Sequence, residues 1–597
     1  MQKNQLKQNS SQTFLKGAMI MSISMIVVKL LGMLFKVMLT RLYTNFGDEF
    51  AGIGTGLLNN AYEVYNPLFT LATAGFPIAV SRLISESIAQ KRYRDVAQIH
   101  RVSKPFFILM GAVCFLLMVG VSFVYIRIIK SPYSIYSMMT LAPSVFFGCL
   151  VSIYRGYYEG QRNMFPTAVS EVIEALCKVF IGLSLAFLVM TIGMNEFTVY
   201  GTVFGRAFAS PYDAMYTLLA YSVASAIAGI SLGSLGAFLF LRIYYIKHKF
   251  VVPDDQLADT VDARSRRETF NLLLKTAIPI GLAALVMSAS ASIDTLVIQN
   301  VLYHTATVNR EGLLAQYDAS QLESMIPLNP TSDNPITIHT YLMGAFSYAL
   351  TIMQLVTTLT QAFGTSAMPS VTAAYTKGDK TELKKSIETV LKLTMLFTLP
   401  AGLGLFAIPY PIISLLYTGY SAEIGSHVLR VMGLSVIVIA VSTPICSMLQ
   451  GVGRVDLPLK LYAIAMAMKI ALNYLFVSNV RINIVGATVG SLVAYLFVCI
   501  VGMYFLIKRA GVVPDFVNTT LKPLLAAVGC GVTAFFAYRL FSTLLGATVS
   551  TLLSIVSAAV IYVILLLILR TFSESEVNML PKSKNLVTIL AKCHLLR

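Results

Sequence analysis

The chain has 597 residues, of which 56% are hydrophobic and only 12% charged, with mean hydropathy +0.73 and no tryptophan. Apolar runs of about 20 residues recur from end to end, which excludes a soluble globular protein and indicates a polytopic membrane protein. The net charge of +17 raises nucleic-acid binding, but the basic residues are scattered over many connections with no folded domain to present them, so no nucleic-acid partner is expected.

Residues 1–16 are polar and lysine-bearing, without the apolar core and small-residue cleavage site of a signal peptide, and are expected to form a cytoplasmic tail. The first span, 17–43, is about 40 Å long as a helix, enough to cross a bilayer with tilt. It carries Lys29 near its middle and Lys36 seven residues on, a step that returns to the same helix face, shared with Ser22 and Thr40. A lysine at the bilayer centre costs roughly 3 kcal/mol, so the pair predicts the wall of a cationic cavity. Structural pairing with carboxylates is the competing reading, and it suits Lys36 better than Lys29.

The second span, 51–84, has a polar stripe of its own: Asn59, Glu63, Asn66, Thr70, Thr73 and Pro77 follow steps of three and four. These groups predict a wet lining, with Gly75 and Pro77 breaking the helix near its cytoplasmic end. The following stretch, Glu86 to Lys104, reads as a basic amphipathic loop able to lie along anionic membrane lipids. Further spans are expected at 105–126, 134–156, 165–192, 215–243, 270–302, 338–374, 386–417, 426–450, 457–479, 482–507, 521–542 and 548–570. Arg155 to Pro166 is a tight turn between spans four and five. Glycines supply the turn, Pro166 opens the next helix, and Arg155 and Arg162 are candidates for a gate.

Alternate connections fall on opposite sides of the membrane. One set holds only Arg127, Lys130, Arg206, Arg310 and Arg481, whereas the other holds twenty-five basic residues. The basic set is therefore expected in the cytoplasm, with both termini inside a bacterial cell membrane.

The second half echoes the first. Pro77 and Pro166 are separated by the same interval as Pro369 and Pro458, and Gly160 to Pro166 resembles Gly451 to Pro458 with one residue inserted. Six spans per repeat put the two lobes in the same orientation, about an axis along the membrane normal. The expected fold is all-α with about fourteen transmembrane helices: tail 1–16, N-lobe 17–247, cytoplasmic linker 248–269, C-lobe 270–509, two extra spans in 510–571 and a cytoplasmic tail 572–597. In the C-lobe, Asp294 aligns with Lys36 and predicts a gating partner for it. Gln354, Thr358, Gln361 and Thr365 share one face of the eighth span, and Lys469 and Asn473 lie one turn apart in the eleventh.

The seven cysteines form no CxxC pair and the six histidines have no ligand spacing, so neither a metal nor a disulfide framework is expected. A glycine-rich nucleotide loop is absent, no cofactor is expected, and enzymic chemistry is not favoured.

Lys29-Leu-Leu-Gly-Met-Leu-Phe-Lys36, the Arg155–Pro166 turn with the following Ala168 to Lys178, and the span count together resemble the multidrug/oligosaccharidyl-lipid/polysaccharide exporter superfamily, in its MurJ and stage V sporulation protein B branch. The resemblance covers nearly the whole chain. It implies two six-helix lobes forming a V around a central cavity that opens alternately to either side, and a groove for a polyprenyl tail on spans thirteen and fourteen. Where MurJ proteins line the cavity with arginines, this chain has Lys29, with neutral Thr70 and Thr73 near another such place. Some relatives bind sodium between the seventh and eleventh spans with acids; here Asp294 stands with Lys469 and Asn473, the candidates for coupling to a cation or the membrane potential.

The leading expectation is a flippase for a polyprenyl-diphosphate-linked oligosaccharide such as a lipid II-like cell-wall precursor, since a cationic pocket suits a diphosphate at low dielectric. Substrate contacts are expected from Lys29, Lys36, Asn59, Glu63, Asn66, Gln354 and Gln361. A cation or drug antiporter of the same superfamily and a membrane enzyme of wall-polymer synthesis are the alternatives.

Overall fold

The structure is a computed structural model that describes residues 14–73, 75–161, 163–208, 210–248, 263–317, 322–327, 330, 336–454 and 456–572. Helices dominate the described residues, and their sheet is a single two-residue hairpin, Thr202–Val203 with Arg206–Ala207. Helix is the expected outcome: in lipid each backbone N–H and C=O must be paired within its own segment.

Among the described residues, eleven helices are long and apolar enough to cross a membrane. They occupy the places of expected spans one, three to six and nine to fourteen. The second, seventh and eighth places hold Asp48–Thr73 with Gly75–Ala89, the 43-residue helix Arg266–Val308, and the 40-residue helix Ile338–Lys377. In the second span the polar stripe from Asn59 to Thr73 lowers the hydropathy. Helix ends follow sequence chemistry. Proline stands in the first turn of Phe165–Cys177, Pro211–Lys247 and Lys522–Phe541, and left-handed Gly201 and Gly511 end the helices before them.

One expectation needs correction. Glu86 to Lys104 is no loop: Gly75–Ala89 and the 36-residue helix Tyr93–Ile128 leave only a short turn between them. The buried Asp95 anchors the first turn of the longer helix. It pairs with Arg92 at 2.6 Å and accepts the Arg264 backbone N–H at 2.8 Å. Val96, Ile99 and Phe107 then bury one face in a core with Val151, Tyr154 and Tyr157, leaving Arg94 and Arg101 exposed. The basic stretch is thus an extension of a membrane helix, held by its apolar stripe.

The fifth place runs from Phe165 to Tyr200 and contains a π-helical turn, Lys178–Gly182, which periodicity alone does not reveal. Glycine explains how the neighbouring helix Pro211–Lys247 comes so close here: a β-carbon at Gly229 would lie 2.6 Å from the Gly182 backbone. One-turn π segments inside α-helices re-aim the side chains on them.

The chain divides into two compact units. The first comprises the residues up to Tyr303 with Glu323–Gly344, the second His304–Leu322 with Ala345 onward. This boundary differs from the sequence repeat, because most of the Arg266–Val308 helix packs with the first unit. In the second unit the last two helices, Lys522–Phe541 and Ala547–Ile568, bury Ala526, Ala527, Cys530, Ala558 and Tyr562 against Leu399 and Ile408. Lys392 donates to the Thr571 carbonyl at 2.5 Å and Tyr562 to that of Leu396 at 2.9 Å. Their other faces, with Leu525, Val532, Phe536, Leu552, Val556 and Val560, are exposed as a lipid-facing surface requires.

Candidate functional site

The candidate site in the first unit begins with the helix Phe14–Thr44, which places Lys29 and Lys36 two turns apart. Lys29 is exposed and Lys36 partly buried. The charges nearest Lys36 are Lys178, Glu63 and Lys29. Lys178, the first residue of the π turn, lies over the Phe35 ring at 4.8 Å and the Tyr62 ring at 5.2 Å. Lys36 thus lies within electrostatic range of two further ammonium groups, Lys29 and Lys178, and of one carboxylate, Glu63. Glu63 is fixed from behind, since Ser292 of the Arg266–Val308 helix donates to its carbonyl at 2.7 Å. Thr40 donates to the Lys36 carbonyl at 2.8 Å and contacts Thr55 at 3.1 Å. Asn59 is buried and Asn66 exposed.

Sequence reasoning missed Lys178. It quoted the residue as the end of a motif without giving it a role, because an ideal helix offers no means of aiming it at span one. A lysine beside Gly182 in an otherwise apolar run was the only signal.

Toward the Arg155 turn stands a second charged cluster. Arg155 donates from Nε to Ser170 at 2.9 Å and pairs with Glu174 at 3.4 Å. Thr167 donates to Glu159 at 3.1 Å, and Ser24 of the first helix donates to the Ala168 carbonyl at 3.1 Å and to Glu171 at 3.3 Å. Arg155 belongs to the Ser134–Gly160 helix, so the turn itself is only 161–164. Gly156 and Gly160 of that helix pack on the backbone of Pro77 and Ser81, where a β-carbon would come within 2.8 and 2.9 Å of a carbonyl oxygen. Arg155→Ala should leave carboxylates unpaired in a half-buried setting. A cost of about 3–5 kcal/mol is the scale for stripping one partner from a fully buried pair, and partial solvation reduces it here. A fall of several degrees in the thermal midpoint of the detergent-purified protein is expected, with Arg155→Lys intermediate. An unchanged midpoint would remove Arg155 as the organiser of this cluster.

A third polar group lies at the other end of the second helix, within the same unit. Gln299 donates to Asn60 at 2.5 Å, Asn60 to Ser134 at 3.0 Å, and Thr340 to Ser131 at 3.3 Å. Tyr341 donates to Asp48 at 3.1 Å. The sequence reading chose Asn59 from the stripe and passed over Asn60, which makes the buried bonds. Here Gly52, Gly56 and Gly344 let two backbones meet, for a β-carbon at Gly344 would collide with the Gly52 carbonyl and one at Gly56 with that of Thr340.

The remaining candidates are placed as follows. Asp294 is buried, two residues beyond the Ser292 that holds Glu63. Lys469 is half-buried and Asn473 buried against Gly490, both in the second unit, so these two and Asp294 belong to different units. Gln354 is exposed. Arg162 and the side chain of Gln361 lie outside the described residues.

With this geometry in view, the sequence profile described as polysaccharide biosynthesis protein matches residues 14–329, more than half of the chain. The chain belongs to the polysaccharide biosynthesis protein family. The MatE profile matches residues 337–475, and both place the chain in the multidrug/oligosaccharidyl-lipid/polysaccharide exporter superfamily. Among its relatives, the lipid II flippase MurJ of Bacillus subtilis is 20% identical over 84% of each chain. Stage V sporulation protein B of the same organism is 21% identical over 96% of this chain and 98% of its own. Among solved structures, MurJ in an inward closed conformation superposes with TM-score 0.56 and 16% identity, over 92% of this chain and 98% of its own. An inward-facing MATE family multidrug transporter also gives 0.56, at 15% identity over 83% and 98%. This family member therefore has the two-repeat fold of that superfamily and is a multi-pass membrane protein.

Proposed function

We propose that the protein is an alternating-access flippase that carries a polyprenyl-diphosphate-linked oligosaccharide from the inner to the outer leaflet of a bacterial cell membrane, with both termini cytoplasmic. The observation that carries this reading is the grouping of Lys29, Lys178 and Glu63 within electrostatic range of Lys36, with Lys178 seated over Phe35 and Tyr62. A diphosphate leaving water needs charge-assisted hydrogen bonds, and a lysine cluster in a low-dielectric setting supplies them. Asn59 and Asn66 add neutral donors on the same helix as Glu63, and Gln354 and Gln361 are proposed to meet the saccharide from the second unit. The exposed apolar faces of the last two helices suit a polyprenyl tail. A named lipid II flippase and a sporulation protein among the relatives support the same class of substrate.

Reconstituted protein should flip a fluorescent polyprenyl-diphosphate saccharide, and Lys29→Ala should abolish flipping per folded molecule. Lys29→Arg should keep part of it, since charge survives while hydrogen-bond geometry changes. Normal flipping by Lys29→Ala would mean that the head group is held elsewhere.

A second reading, cation antiport of a drug-like substrate, is favoured by the carboxylates of Glu159, Glu171 and Glu174 gathered about one arginine. Uptake of a cationic dye, without flipping of the lipid-linked substrate, would select it. Asp294, Lys469 and Asn473 are the proposed coupling groups in either case.

A further inference from the structure

Outside the lysine cluster, the second unit holds a cavity of about 470 Å³. Its walls come from the end of the short helix Arg310–Gln316, the first two turns of Tyr420–Gly451, and the segment 481–485. All three adjoin connections of the sparsely basic set, the outer side in the proposed topology. Glu423 and His427 stand one turn apart on one helix face, and Arg481 lines the cavity with them. Among the described residues no ion pair or side-chain hydrogen bond engages these three heads. Tyr317 and Tyr420 add two aromatic rings, while Ile424 and Ile484 supply apolar wall. The Tyr317 hydroxyl donates to Asn483 at 3.1 Å, and Asn483 is held at φ 44°, a left-handed conformation that an asparagine tolerates at some cost.

We infer that this cavity is a saccharide-binding site on the outer face, taking the sugar rings of the transported head group as they emerge. The inference rests on the flippase reading for its biological occupant. The chemistry is that of sugar recognition: aromatic faces cover the apolar side of a pyranose, and a carboxylate, an arginine and an imidazole reach its hydroxyls. The volume lies within the range of small-ligand sites. A diphosphate is a poor occupant, because Glu423 faces the same space as Arg481. The rigid link from Asn483 to Tyr317 holds one ring in place before a ligand arrives.

Saturation-transfer NMR on the full chain in nanodiscs, with maltose and N,N′-diacetylchitobiose as probes, tests this. Ring-proton signals are expected with the unmodified protein. Glu423→Gln and Arg481→Ala should each weaken binding roughly ten- to hundredfold, the effect of losing a charge-assisted hydrogen bond. Arg430→Ala, an exposed arginine of the same helix outside the lining, should leave binding unchanged. Absence of saccharide signals, signals unaffected by both variants, or binding of a tripeptide in place of a sugar would each overturn the assignment. If the lipid-linked substrate is not flipped while saccharide binding persists and falls in both variants, the flippase reading fails and the pocket stands. If flipping proceeds with no saccharide bound at this pocket, the reverse holds.

Discussion

Lys36→Ala is expected to reduce flipping by folded protein about a hundredfold. Lys36 is the common member of the cluster: Lys29, Lys178 and Glu63 of the second helix all act on its charge. Phe35 next to it is fully buried and Thr40 one turn on nearly so, which packs this turn of the helix against its neighbours. Loss of one charge-assisted hydrogen bond to the diphosphate costs about 1.5–3 kcal/mol, which is one to two decades in rate if felt in the transport step. Lys36→Arg should recover part of the activity. Lys178→Ala should follow Lys36→Ala in direction, since it removes the same positive charge from the other helix. The measurement is flipping in liposomes normalised to monodisperse protein. Wild-type rates for Lys36→Ala would show that the cluster is structural.

The second large effect is expected from Gly344→Leu. The second helix and the start of the Ile338–Lys377 helix meet backbone to backbone at Gly52, Gly56 and Gly344, so a side chain at Gly344 has only a carbonyl to push against. Overpacking typically costs about 1–3 kcal/mol, and more where the obstacle is backbone that cannot change rotamer. The adjacent bonds of Asn60, Ser134, Gln299 and Thr340 depend on that contact and would open to water. The proposed alternating-access cycle would close this seam once per turnover, so transport should fall by about two orders of magnitude, with Gly344→Ala in between. A cysteine introduced at Gln299 should become open to an impermeant maleimide in the leucine variant. Unchanged labelling together with unchanged transport would show that the seam tolerates separation.

Membrane class, the order of helices and most of their ends were legible in the sequence. Apolar runs, Pro166 and Pro211 at helix starts and Gly201 and Gly511 at helix ends are local signals, each acting within a few residues through hydration or backbone geometry. The seven-residue step from Lys29 to Lys36 and the Asn59–Glu63 stripe were legible for the same reason, because a straight helix turns spacing into a face. The extent of the Tyr93–Ile128 helix was not. Its basic first turns read as a loop until the buried Asp95 and the packing of Val96 and Ile99 are seen.

By itself, therefore, the sequence determined that this is a helical membrane protein with an internal repeat and intramembrane lysines, because hydropathy, charge bias and helix-ending residues are properties of short segments. Tertiary structure alone decided which charges meet. Lys178 comes within electrostatic range of Lys36 from a π turn that ends at Gly182, where Gly229 of the neighbouring helix crosses closely, and Asn60 rather than Asn59 carries the buried bonds because Ser134 and Gln299 arrive from helices far away in the chain. Such contacts depend on packing between segments separated by tens to hundreds of residues. No local spacing rule encodes them.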